Sequence, residues 1–192
     1  MSEMAAAATL RLECRPSKSG NLLIFPYTLS NEGPGDVYVM HAFPGAGQAN
    51  EKTAIVIASG DGDAIVGKFI APLPTDRHVA MPVLPLAKRL AAGTSLEGQI
   101  EIPIPLAETS PYFPDLTLRR YEIVDIKGVQ FTIGYWPVQP ERVWAEQCPY
   151  APELFEVSMR DPARGARRAS RRFPTTGLQL FKRTDAFPRT LE

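Results

Sequence analysis

Proline constrains this chain more than any other feature. Nineteen of its 192 residues are proline, about twice the ~5% of an average chain. Each one fixes φ and removes a backbone donor. Long helices and the inner strands of a parallel sheet tolerate few such residues. Short strands separated by turns tolerate many. The apolar pattern agrees, because its dominant period is two. Leu10, Leu12 and Cys14 alternate with Arg11, Glu13 and Arg15, as in a half-buried strand. Leu23, Phe25, Tyr27 and Leu29 form a second strand whose other face is also apolar, so cover on both sides is expected. Pro26 within it marks a bulge or an edge.

The same reading continues along the chain. Val37, Val39, His41 and Phe43 share one strand face. Thr53 to Ser59 and Ala64 to Ala71 form a hairpin around Gly60-Asp61-Gly62-Asp63, whose glycines supply positive φ. This turn accounts for Asp61 and Asp63 without a calcium ion, since the further oxygen ligands of a calcium loop are missing. Val83 to Leu90 reads as a strand in preference to a short helix. Ile100, Ile102, Ile104 and Leu106 alternate with Pro103 and Pro105, which places that strand at a sheet edge. Tyr121 to Ile126 and Val129 to Trp136 read as a second hairpin around Asp125-Ile126-Lys127-Gly128. The expected fold class is all-β, an antiparallel two-sheet sandwich with a basic C-terminal extension. The expected organisation is a flexible segment 1–8, a sandwich domain 9–138 and a proline-punctuated basic extension 139–192. That extension is expected to pack on the sandwich or on a partner, with Glu153 to Met159 and Leu178 to Phe181 as further strand or docking segments.

Two stretches carry a resemblance to a known fold. Leu23 to Gly33 ends in Asn-x-Gly after an alternating strand, and Leu90 to Pro105 runs from a Leu-x-x-Gly turn into another. Residues 9–138 thereby resemble immunoglobulin-like and fibronectin type III-like sandwich domains. The Cys-Trp-Cys core of antibody domains is absent, since Cys148, Trp136 and Trp144 all fall late. Such domains serve adhesion, chaperone, inhibitor and enzyme-accessory roles, so the resemblance implies a scaffold and not a function.

Residues 1–12 have an early acid, Glu3, no basic start and a short apolar run, unlike a secretory signal. No stretch reaches the ~18–20 apolar residues of a membrane span. A cytoplasmic chain is expected. Cys14 falls on a buried strand face and reads as a core thiol. Two isolated cysteines do not make a zinc site.

Charge is divided along the chain. Residues 1–159 hold 12 Lys/Arg and 18 Asp/Glu, a net of −6, whereas residues 160–192 hold 9 and 3, a net of +6. Within the basic part, Arg164, Arg167, Arg168, Arg171 and Arg172 recur at helical spacing. Asp161 suits an N-cap and Pro162 the first helical position. The expectation is a helix with the five arginines on one face and Ala163, Ala166 and Ala169 opposite. That face reads either as an anion or partner site or as a solvated surface balancing the acidic sandwich. Arg167-Arg168-Ala169-Ser170 also fits a basophilic kinase pattern. A second candidate surface is aromatic and proline-rich: Tyr112 and Phe113 between Pro111 and Pro114, Tyr135 and Trp136 before Pro137, and Trp144. Exposed aromatics suit protein interfaces, although packing of the tail explains them too.

Catalytic composition is poor. His41 and His78 belong to no nucleophile motif, and no Gly-x-Ser-x-Gly, Gly-x-Gly-x-x-Gly or P-loop occurs. No catalytic residue, metal or cofactor is therefore assigned. The sequence favours a non-catalytic protein–protein interaction module whose partner is another protein or a second copy of itself. The alternatives are an accessory protein binding polyanions, including weak nucleic-acid binding, through the arginine cluster, and a hydrolase on the same scaffold.

Overall fold

The structure is a computed structural model and describes residues 9–74, 78–113, 121–139 and 143–184. The expected flexible segment 1–8, Asp76 and Arg77 beside His78, Pro114 to Thr117, and the last residues of the basic extension, 185–192, lie outside the described residues. In chain order the strands are β1 (Leu10–Cys14), β2 (Ser17–Ser19), β3 (Leu22–Asn31), β4 (Val37–Pro44), β5 (Ala49–Asn50), β6 (Ile55–Ala58) and β7 (Asp63–Lys68). They continue with β8 (Leu86–Leu90), β9 (Ser95–Pro103), β10 (Leu106–Ala107), β11 (Tyr121–Pro137), β12 (Trp144–Cys148) and β13 (Ala151–Ser158). A single helical turn, α1 (Pro162–Gly165), precedes β14 (Arg167–Arg183). The chain is all-β in two sheets.

The smaller sheet is antiparallel. β3 lies at its centre, with β1 and β2 along one side and β9 along the other. The prolines explain its outline. Arg15 donates its amide to the Pro26 carbonyl at 3.4 Å. Pro26 has no N–H to return the bond, and the ladder breaks there into β1 and β2. β9 pairs with β3 alone, the edge position expected of it, but it ends at Pro103, and Leu106, expected on the same strand, belongs to β10 in the larger sheet. The outer face of β3 is half exposed rather than covered as expected.

The larger sheet has ten strands, with the path β10-β14-β11-β4-β8-β13-β12 and with β7 and β6 laid beside β11. It is mixed, which corrects the expectation of antiparallel pairing throughout. β7 runs parallel to β11 from Gly128↔Asp63 to Ile133↔Lys68, and β10 runs parallel to β14. The β6–β7 hairpin forms as expected. The second expected hairpin does not. Tyr121 to Pro137 is one continuous strand, which pairs with β14 from Tyr121↔Arg183 to Tyr135↔Arg167 with one break in register between Ile126 and Gly128. Gly128 looked like a turn glycine but serves a close approach. A Cβ there would lie 3.0 Å from the Asp63 carboxylate, the Arg172 guanidinium and the Phe173 carbonyl. Lys127 beside it donates its amide to Gly62 across the hairpin turn, at 2.9 Å.

The sheets pack face to face through Phe131. Phe25 of β3 stacks on it at 5.0 Å between centroids and 8° between planes, and Tyr27 tilts onto it at 5.4 Å. Val39, Val66, Ile133, Leu178 and Leu180 join the same core. The far face of the larger sheet carries a second core around Met40, Phe69 and Trp136. His41 switches β4 between the two. It is the extra residue in a bulge opposite β8, so Phe43, expected on the face of Val37 and Val39 in the first core, joins Met40 in the second. Cys14 and Cys148 are free thiols, each buried, and burial pushes the Cys14 thiol up to about 11.

One buried carboxylate joins three strands. Glu108 is 1% exposed. Its Oε1 accepts the amide of Ala58 in β6, and its Oε2 accepts that of Arg183 in β14, both at 2.6 Å. Its own amide donates to the Phe181 carbonyl at 3.0 Å. The Arg183 guanidinium in turn lies over the Phe113 ring at 3.5 Å. Replacing Glu108 by alanine strands two buried amides, each worth roughly 1–3 kcal/mol. Urea denaturation of Glu108→Ala is expected to show a loss of about 3 kcal/mol or more. A loss below about 1 kcal/mol would show that the carboxylate does not hold these strands.

Candidate functional site

The arginine segment is where structure and sequence differ most. Asp161 does cap a helix, its Oδ1 accepting the Arg164 amide at 3.2 Å, and Pro162 opens it. The helix ends after four residues, at Gly165, and Ala166 turns into extended backbone. Arg167 to Arg183 is a strand, not a helix. The reason is the free edge of β11, whose amides and carbonyls require a partner. The spacing that suits a helix face also places Ala169, Phe173, Leu178 and Leu180 against the first core.

Strand alternation then separates the five arginines. Arg168 and Arg172 flank Ser170 on the face of the second core, while Arg167 and Arg171 alternate with them. Arg164 stays on the helical turn and is exposed. Arg172 grips buried Asp63 in a bidentate pair, Nε to Oδ2 at 2.5 Å and Nη2 to Oδ1 at 2.9 Å. This carboxylate and its hydrogen bonds raise the Arg172 pKa. Arg171 lies over Phe173 at 5.7 Å. Ser170 is exposed, with its hydroxyl 3.0 Å from that of Thr132.

The expected interface aromatics divide as well. Phe113, Tyr135 and Trp136 are buried, and Trp136 donates its indole N–H to the Pro162 carbonyl at 3.1 Å, pinning the helical turn. Tyr112 is half-buried, its hydroxyl accepting the Val83 amide at 3.0 Å. Trp144 alone of the five is exposed, at 58%.

These placements leave two clefts on either side of the segment 161–167. The first has a volume of about 780 Å³. Met40, Phe69 and Gly134 form its floor, Ile70 to Leu73 with Pro82 and Leu84 one wall, and Ala163, Ala166, Arg167 and Arg168 the other. Gly134 makes this floor feasible, because a Cβ there would lie 2.4 Å from the Met40 sulfur. Leu73, at 47% exposure, edges the first wall. Arg168 extends over the Phe69 ring at 5.8 Å. The residue as a whole is exposed, but the ring and cleft wall strip water from one side of the guanidinium and lower its pKa. Among the described residues no carboxylate pairs with it. The second cleft, about 770 Å³, lies between Trp144 and Arg160, Arg164 and Arg167.

A separate polar group lies within the sheet. Lys68 is 2% exposed and donates to the His41 carbonyl, while His41 Nε2 lies 3.6 Å from the Glu51 carboxylate. Burial pulls the Lys68 amine down to about 8, opposed by Glu51. Burial and the Lys68 charge, with a smaller contribution from Lys88, hold His41 below its ordinary value, opposed by Glu51. Among the described residues no cluster of three or more His, Cys, Asp or Glu side chains has metal-binding geometry. Among the described residues no helix is long and apolar enough to cross a membrane. Comparison with protein families, curated proteins and solved structures finds no match to this chain.

Sequence reading missed the first cleft because its parts lie far apart, at Met40, Phe69, Gly134 and Arg168. Lys68 did carry a signal, as the lone charge in the run from Ala64 to Ala71. Its linkage is testable. The unfolded amine titrates at 10.5 and the folded one near 8. Between those values the unfolded chain binds the extra proton, so this group's contribution to stability rises with pH. Below pH 8 its burial cost is complete. The stability of Lys68→Met relative to the parent, measured in urea, should therefore fall from pH 8 to pH 10.5. Cys14 and Tyr27 titrate in both proteins and cancel. A difference independent of pH would contradict the assignment.

Proposed function

We propose that this protein is a non-catalytic protein-interaction module on an immunoglobulin-like sandwich scaffold. Its first cleft takes an extended, apolar segment of a partner protein that carries an acidic side chain. The observation that carries this reading is Arg168, an unpaired and partly desolvated guanidinium at the side of an apolar cleft. A carboxylate entering with an apolar neighbour gains a charge-assisted bond in a site already partly dry. The volume lies in the range of ligand sites, ~300–1,000 Å³. The side chains of the site suit holding more than transformation. They are apolar groups, two guanidinium groups and one carboxylate already engaged as a helix cap. The scaffold part of the proposal draws on the face-to-face packing of the two sheets through Phe25 and Phe131. A continuous arginine face for polyanions has less support, because strand alternation divides the five arginines and Asp63 occupies one of them.

Display of random peptides against the full chain tests the proposal. Selected peptides should share an acidic residue within two or three positions of a bulky apolar one. Arg168→Glu should weaken a selected peptide at least tenfold, while Lys18→Glu, on the far sheet, should not. Absence of enrichment, or binding insensitive to Arg168→Glu, would overturn the reading.

A further inference from the structure

The second cleft has a different chemistry. Trp144, at the start of the edge strand β12, is the largest exposed aromatic side chain among the described residues. It faces a cleft whose remaining charged groups are Arg160, Arg164, Arg167 and Asp161. Among the described residues, three arginines and one aspartate line it. The Asp161 carboxylate is engaged by the amide of Arg164. Among the described residues the guanidinium groups of Arg160 and Arg164 meet no carboxylate. Val143 and Met159 give the cleft an apolar base. Met159 reaches that position because residue 165 is glycine, where a Cβ would lie 2.6 Å from the Met159 methyl group. The bond from Trp136 to the Pro162 carbonyl holds the arginine-bearing turn in place.

We propose that this cleft is a nucleotide site, with an aromatic base stacked on the Trp144 indole and its phosphate held by Arg160 and Arg164. An indole offers any base a flat π face, and stacking of this kind is tolerant of sequence. Planar guanidinium groups match phosphate oxygens in a fork geometry that lysine cannot reproduce. A volume of about 770 Å³ accommodates one nucleotide unit. The ligand is either a free nucleotide or one unit of a single strand, since both present the same base and phosphate. The two clefts share Asp161 and Arg167, but Trp144, Arg160 and Arg164 line this one and not the peptide cleft.

The chain holds two tryptophans, and Trp136 is fully buried, so quenching by an added base reports on Trp144. Adenosine diphosphate and an eight-nucleotide single strand are titrated separately at low salt, with pyrophosphate as the ligand lacking a base. Calorimetry repeats each titration on the Trp144→Ala protein and on the Arg160→Ala/Arg164→Ala protein. The replaced residues are exposed, and thermal unfolding checks that the fold is retained. The expected result is saturable quenching below millimolar concentration, with affinity lowered at least tenfold in each variant. A single strand bound at least tenfold more tightly than the diphosphate, and more weakly as salt rises, would identify nucleic acid as the source. Equal or tighter binding of the diphosphate would identify a free nucleotide. The proposal fails if neither ligand binds by 1 mM, if binding is unchanged in either variant, or if pyrophosphate binds as tightly as the diphosphate.

Discussion

The seventeen residues of β11 present two rows of backbone donors and acceptors, and the larger sheet is organised around satisfying both. A strand with either row facing the interior would leave several buried polar groups unpaired, each at a cost comparable to a lost hydrogen bond. β14 pairs with one row from Tyr121 to Tyr135. The other row needs two partners, β7 along its middle and β4 at its end. These partners come from distant parts of the chain and arrive in opposite directions, which makes the sheet mixed. The two cores follow from the same strand, since Phe131 and Ile133 face one side and Trp136 the other.

The opposite charges of the two parts of the chain meet inside this arrangement. β14 brings Arg172 to Asp63, beside the turn of the β6–β7 hairpin, and Arg183 to the aromatic face of Phe113. Neither arrangement draws on the surface balance imagined for a solvated basic helix. A strand exposes its residues in two directions, so the remaining guanidinium groups reach different surroundings. Arg168 overlooks an apolar cleft, whereas Arg160 and Arg164 stand opposite an exposed indole. The division gives two clefts of different lining in place of one extended basic surface.

Much of the strand content was legible because alternation is a local property. Leu10 to Cys14, the β6–β7 hairpin and the isoleucines of β9 all read correctly from neighbouring residues. Pro26 and Pro103 also revealed where pairing stops. Two regions misled the reading for a physical reason. Gly128 looks like a turn residue, and only the approach of Asp63 and Arg172 shows that it clears space within a strand. The arginine spacing of three and four fits a helix, but the decisive influence is the unpaired edge of β11, some forty residues earlier in the sequence. The cleft side chains were illegible because the sheet, rather than any local motif, brings Met40, Phe69, Gly134 and Arg168 together.

The late position of β14 has a consequence for synthesis. During translation, β11 leaves the ribosome well before the strand that covers its long edge. Until Arg167 to Arg183 follow, the nascent chain carries an open, apolar strand edge, the kind of surface that recruits foreign strands. The sheet closes through pairings between remote segments, which fold slowly compared with local ones. The arginines borne by β14 disfavour pairing between copies of that strand. The strand that completes the fold thus carries charges that guard it against self-pairing before it docks.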